Sequence, residues 1–175
     1  MQQALLIVDM LNDFVLPHGS LAVPGARHII PGIRQYLELF RQKAWPVFFV
    51  CDEHEPDDPE FIRMGWPPHA LRGTPGSQVV DELAPLPGEH LVAKQHYSAF
   101  YKTDLEETLQ RLGVQEVIVT GVVSNICVLY TAADAVMRGY GVRVPASCVA
   151  ALTPEEGAFA LRQMEQVLGV TVEKE

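Results

Sequence analysis

The sequence predicts a three-layer α/β/α domain on a mainly parallel six-stranded sheet, and three observations carry that prediction. Short apolar runs alternate with segments whose apolar residues recur at helical spacing, in the order βαββαβαβαβ. The run at 4–8 is apolar throughout, as expected of a strand buried on both faces, and 117–120 is a β-branched run. Asp9, Asp52, Lys94 and the 121–127 turn each stand directly after a predicted strand, the Rossmann-like arrangement in which ligands bind at the carboxyl ends of the strands.

In chain order, residues 4–8 form the first strand and Asp9 ends it. Residues 10–24, with Asn12, Asp13, Pro17, His18, Gly19 and Ser20, read as a long loop, and long loops in compact domains tend to be functional. A helix follows with Pro31 in its first turn and Ile33, Tyr36, Leu37 and Phe40 as its inward stripe. Pro46 opens the second strand, 47–51. Residues 52–78 are rich in Pro, Gly, Asp, Glu and His and read as an irregular excursion, too polar and broken for the core. A third strand at 90–93 leads to Lys94. Thr103 and Glu106 have the spacing of a capping box for a helix that Gly113 stops.

The fourth strand, 117–120, turns at Gly121 into a helix that carries Cys127 near its start and Ala132, Ala133 and Val136 further on. Residues 142–144 form the fifth strand. Thr153, Pro154 and Glu156 start a last helix, apolar at Phe159, Leu161, Met164 and Leu168, and Gly169 separates it from a final strand at 170–172.

At 175 residues the chain fits one domain, residues 1–175, with 48% hydrophobic and 20% charged residues, ordinary values for a globular protein. Its net charge of −9 and lack of a basic cluster argue against nucleic acid or anionic membrane as partners and leave room for a small ligand. The amino terminus has no basic segment before its short apolar run, so no signal peptide is expected and a cytoplasmic protein is. Three widely spaced cysteines, Cys51, Cys127 and Cys148, suit reduced thiols better than a disulfide framework.

Cys127 near a helix start has two readings. A small buried core residue is the commoner one. The other is a nucleophile whose thiolate is favoured by unpaired backbone N–H groups, which could also hold an oxyanion. Charged residues at the other strand ends favour the second: Asp9 can take the thiol's proton, and Lys94 would keep Asp9 ionised. The chemistry that fits is nucleophilic attack on an acyl carbon. Asp52, His54 and His69, with Glu60 between, form a plausible oxygen and nitrogen set for a divalent metal, although by spacing alone solvated loop residues are the better reading. His18, His28, His90 and His96 are unassigned.

Several motifs then coincide: L-L-I-V-D-M-L-N-D-F at 5–14, Asp52-x-His54, W-P-P-H at 66–69, G-T-P-G at 73–76, Y-S-A-F at 97–100 and G-V-V-S-N-I-C-V at 121–128. Together they resemble the isochorismatase-like cysteine hydrolases, and within them the nicotinamidase and pyrazinamidase subgroup, over nearly the whole chain. The resemblance implies a triad of Asp9, Lys94 and Cys127, and a cis peptide between Val122 and Val123. It places backbone N–H donors for the oxyanion at Val123 and Cys127. It implies a ring slot lined by Phe14, Trp66 and Tyr97, and one divalent ion, zinc before manganese or iron, on Asp52, His54 and His69 with Glu60 as a further ligand. The implied activity is hydrolysis of a small-molecule carboxamide, nicotinamide to nicotinate and ammonia in NAD salvage, by a homo-oligomer. Two positions depart from the pattern: Asn125 stands where an acid is often found, and Ala70 where a cysteine commonly follows the metal histidine.

Overall fold

The alternation of side chains along residues 3–8 sets the layering. In the computed structural model, which describes residues 1–174, Ala4, Leu6 and Val8 of strand β1 (Gln3–Val8) enter one hydrophobic cluster, and Leu5 and Ile7 enter another on the opposite face of the sheet. On the second face lie helices α1 (Asn12–Val15) and α2 (Ile30–Gln42). Of the predicted stripe, Ile33, Leu37 and Phe40 are buried there, each contributing about 1.5–3 kcal/mol relative to an exposed position, while Tyr36 is half-buried with its hydroxyl on Glu173. On the first face lie α4 (Leu105–Arg111), α5 (Leu129–Met137) and α6 (Pro154–Gln166), through Leu105, Leu109, Ala132, Ala135, Ala160 and Met164.

The remaining strands are β2 (Val47–Asp52), β3 (His90–Lys94), β4 (Glu116–Val122), β5 (Gly141–Pro145), β6 (Val149–Ala150) and β7 (Thr171–Glu173). Their order is β3-β2-β1-β4-β5-β7, with β6 also paired to β4, and every pairing is parallel. This is the predicted α/β/α fold with one strand more than the six expected. Strand β6 has two residues, too few for any periodicity to show.

Two stretches read as irregular contain helices. The loop at 10–24 carries α1, and the excursion at 52–78 carries α3 (Pro59–Met64), which starts at Asp58 with Pro59 in its first turn and stops at Gly65 in a left-handed conformation. Nor is the excursion excluded from the core: His54, Glu60, Phe61, His69 and Ala70 are all buried. The capping box expected at Thr103 does not form. Its hydroxyl donates to the Ala99 carbonyl and receives only a long bond, 3.4 Å, from Leu105 N, while Glu106 pairs with Arg138. At α6 the predicted cap does form, with Thr153 Oγ1 accepting the Glu156 N–H at 3.2 Å. Among the described residues no helix is long and apolar enough to cross a membrane.

Candidate active site

Strand order reverses between β1 and β4, so the crevice beyond their carboxyl ends is where an open parallel sheet offers a site. Gly121, at φ +105°, pairs with Val8, and a Cβ there would sit 2.0 Å from the Val8 carbonyl oxygen. Only glycine lets the two strands run this close up to Asp9. Asp9 itself turns out of β1 at φ +52°, a left-handed conformation that aspartate tolerates better than most residues. After Gly121 the chain passes through a cis peptide at Val122–Val123, as the resemblance implied, into one wide π turn, Ser124–Val128, that continues as α5. The Val123 carbonyl accepts from Ile126 N at 3.0 Å and Val128 N at 3.2 Å, which seats Cys127 inside the turn.

Asp9, Lys94 and Cys127 meet there, all buried. Lys94 Nζ donates to Asp9 Oδ2 at 2.9 Å, lies 3.4 Å from Cys127 Sγ, and also pairs with Asp52 Oδ1. Asp9 Oδ1 accepts the Asp52 backbone N–H at 2.8 Å. Burial and the neighbouring Asp52 charge push the Asp9 carboxyl up to about 6 against the pull of Lys94, so it is largely ionised at neutral pH. Burial also pushes the Cys127 thiol well above its ordinary range, with Asp9 and Asp52 adding to the rise and Lys94 opposing it. The expected bias toward thiolate at a helix start is therefore overturned: the resting thiol is protonated and needs a base. Asp9 is the neighbouring carboxylate, with an oxygen within 4.8 Å of the Cys127 sulfur.

Asp52 faces two ways. Its second oxygen looks toward His54 and His69, and these three residues offer ligand atoms within 4.8 Å of one another. His69 Nδ1 donates to the Pro67 carbonyl at 2.8 Å and His54 Nδ1 to Asp58 Oδ2 at 2.9 Å, so in the neutral rings each Nε2 keeps its lone pair. His54 Nε2 is buried without a hydrogen-bond partner; Asp52 Oδ2 is 3.7 Å away, beyond bonding distance. An orphaned imidazole nitrogen facing a carboxylate and a second imidazole fits a divalent cation. Without one, burial disfavours a charged His54, but Asp52 and Asp58 outweigh it and hold its pKa at about 9. Glu60 is buried beside this group, with Oε2 3.9 Å from His54 Nε2 and Oε1 taken by Arg63 at 3.1 Å.

One pocket joins the two groups. About 480 Å³ including its mouth, it is lined by Asp9, Asp52, Glu60, His69, Val123 and Cys127 and by the three expected aromatics, Phe14, Trp66 and Tyr97. Phe14 and Trp66 both pack on the His69 ring, at 5.4 and 6.0 Å between centroids, and Tyr97 stacks on Tyr130 at 5.8 Å. Every residue proposed from the sequence thus falls at or beside one crevice. Sequence reasoning missed the apolar lining from Leu21, Val23, Ile126 and Leu152, which carries no chemistry to mark it. It also missed Asp13, whose Oδ2 accepts the Ala70 N–H at 2.8 Å. Ala70, left-handed at φ +45°, accepts from His54 N at 3.0 Å in turn, so the backbones of the two histidines are tied through it. Gly76 fits against the Asp13 carboxylate, where a Cβ would lie 2.2 Å from Oδ2.

A buried thiol, carboxylate and ammonium thus meet at the carboxyl ends of a parallel sheet. The Isochorismatase domain model matches residues 3–175. The chain is 39% identical to N-carbamoylsarcosine amidase from Thermoplasma acidophilum, covering 99% of this chain and 96% of that one at a TM-score of 0.89. It is 31% identical to nicotinamidase PncA from Bacillus subtilis, with coverages of 99% and 100% and a TM-score of 0.93. It is 32% identical to a pyrazinamidase of Pyrococcus horikoshii solved in complex with zinc, with full coverage of both chains and a TM-score of 0.91. A probable inactive nicotinamidase of Arabidopsis thaliana is 33% identical over 94% of this chain and 88% of its own length. The chain belongs to the isochorismatase domain family.

Proposed function

We propose that this protein is an amidase that converts nicotinamide to nicotinate and ammonia through a thioester on Cys127, in NAD salvage. The observation that carries the reading is a single aromatic-lined pocket bordered at once by the Cys127 thiol and by Asp52 and His69 of the three-residue ligand set. Asp52, His54 and His69 would hold a divalent ion, zinc before manganese or iron, with Glu60 at its margin. When bound, such an ion supplies a Lewis-acid position for a ring nitrogen. Phe14, Trp66 and Tyr97 would sandwich the ring and set the carboxamide carbon against Sγ.

Asp9 takes the thiol proton as Sγ bonds to the carboxamide carbon, and backbone N–H groups of Val123 and Cys127 receive the oxyanion. As the C–N bond breaks, the same proton passes from Asp9 to the departing ammonia. Asp9 then accepts a proton from a water that attacks the thioester, and returns it to Sγ as the acid leaves. Lys94 stays charged throughout, its pKa raised well above the ordinary value: burial would lower it, but Asp52 and Asp9 outweigh that effect. It balances the charge that moves between Asp9 and Sγ.

The similarity to N-carbamoylsarcosine amidase supports a second reading, the same thioester chemistry on a carbamoyl or ureido compound. Ammonia release from nicotinamide, pyrazinamide, carbamoyl sarcosine and ureido compounds, with and without chelator, separates the two. Chelator-sensitive turnover of nicotinamide as the best substrate supports the first. Best turnover of a ureido compound, indifferent to chelator, removes it. A catalytically silent ligand-binding protein predicts no ammonia from any of them.

Two outcomes follow from the geometry. Because Asp9 must be ionised to act and its pKa stands at about 6, kcat/KM is expected to fall tenfold per pH unit below about pH 6 and to be flat just above it. A profile with no break between pH 5 and 7 in that range would remove Asp9 as the base. His54→Ala is expected to lose the bound metal and to raise KM for nicotinamide, while the rate of Cys127 alkylation by iodoacetamide stays as in the wild type. Full nicotinamide turnover in metal-free His54→Ala protein would leave the histidines a structural role only.

A further inference from the structure

We propose that Asp58 is a positioning residue that fixes the ring tautomer of His54 with one carboxylate oxygen and starts helix α3 with the other. The inference rests on the reading of Asp52, His54 and His69 as a metal site. Asp58 Oδ2 lies 2.9 Å from His54 Nδ1, and Asp58 Oδ1 accepts the Glu60 backbone N–H at 2.9 Å. An ionised carboxylate only accepts hydrogen bonds, so Nδ1 must carry the hydrogen and the neutral ring's lone pair is left at Nε2. That nitrogen is the buried atom without a partner, turned toward Asp52. A carboxylate behind a ligand histidine holds the ring in place and makes it a better donor to metal.

The other oxygen serves the wall of the pocket. Helix α3 has six residues, far fewer than the roughly 12–15 an isolated helix needs, so it depends on its cap and on its buried side chains, Glu60 and Phe61. Glu60 borders the pocket, and the Phe61 ring packs against both His54 and His69 at 5.3 and 5.1 Å between centroids. One carboxylate therefore ties the ligand state of His54 to the helix that closes one side of the site.

Asparagine separates the two roles. It caps helices about as well as aspartate, but it has one acceptor oxygen instead of two. With that oxygen on the Glu60 N–H, its amide NH₂ faces His54 Nδ1 and must donate to it. The ring hydrogen then moves to Nε2 and the lone pair for the cation is lost.

The test is the Zn²⁺ affinity of the full-length metal-free protein, measured by competition with a chromophoric chelator, together with the rate of trypsin cleavage after Arg63. The Arg63 side chain is 67% exposed but sits within α3, so cleavage reports opening of that helix. Asp58→Asn is expected to bind Zn²⁺ about 10- to 100-fold more weakly than wild type with Arg63 cleavage unchanged. Asp58→Ala is expected to lose affinity to a similar degree and to be cleaved faster. Wild-type affinity in Asp58→Asn overturns the proposal. So does a loss of affinity in Asp58→Asn matched by faster cleavage, which is what a purely structural role gives. His54→Ala serves as the reference: if it weakens Zn²⁺ binding and Asp58→Asn does not, only the role of Asp58 falls. If wild type and His54→Ala bind alike, the metal site falls and the role of Asp58 with it.

Discussion

Cys127→Ala is expected to reduce amide hydrolysis to background, a loss of roughly 10⁴–10⁶-fold, because the proposed nucleophile is gone and no other thiol among the described residues lines the pocket. The fold should survive. Alanine keeps Cβ and leaves a void of about one sulfur atom in the cluster beneath α5, at about 1 kcal/mol. Cys51→Ala and Cys148→Ala are the controls. Cys51 sits one residue before the end of β2 with its thiol donating to the Phe49 carbonyl at 3.6 Å, and burial pushes its pKa up to about 12. Cys148 belongs to the cluster on the opposite face of the sheet, beside Gly32. Neither borders the pocket, so both variants should keep their activity. Ammonia release and thermal unfolding of the three proteins decide the matter: three variants with the same activity would place the nucleophile elsewhere.

The convergence of Asp9, Lys94 and Asp52 was legible because all three stand at strand ends, and Cys127 because it follows β4 in the turn that leads into α5. Asp9, Lys94 and Asp52 are the first charged residues after apolar runs, and a parallel sheet brings such positions to one rim whatever lies between them. Their protonation states were not legible. A helix start lowers a thiol's pKa in water-accessible surroundings, but Cys127 is buried with two carboxylates near it, and only the packed structure shows that this outweighs the turn and Lys94.

The excursion at 52–78 was misjudged for a different reason. Its polar composition argued for solvent, whereas in the structure Asp58, Glu60, His54 and His69 satisfy or face one another, so their polarity is turned inward. Helix α3 did leave a signal, Asp58 and Pro59 at its start and Gly65 at its end, but six residues give too little periodicity to weigh against the composition around it. Strand β6 and the apolar lining from Leu21, Val23, Ile126 and Leu152 left none, since both depend on contacts between distant parts of the chain.

Asp9→Asn carries the other large effect and has an internal control. Turnover is expected to fall by at least about 10²–10⁴-fold, since an amide cannot relay the proton and the same group serves both formation and hydrolysis of the thioester. The backbone bond from Asp52 N can pass to the new amide oxygen; the amide NH₂ then faces Lys94 Nζ, so Lys94 loses its bond to residue 9 and is held by its pairing with Asp52. Removing the Asp9 charge also removes one of the influences that raise the Cys127 thiol, while Lys94 remains 3.4 Å from Sγ to favour the thiolate. Alkylation of Cys127 by iodoacetamide at fixed pH is therefore expected to become faster in Asp9→Asn as turnover collapses. Disruption of the site would lower both rates together, and undiminished turnover would show that the thiol's proton goes to some other group. Opposite signs for the two measurements are what a buried base beside a protonated thiol requires.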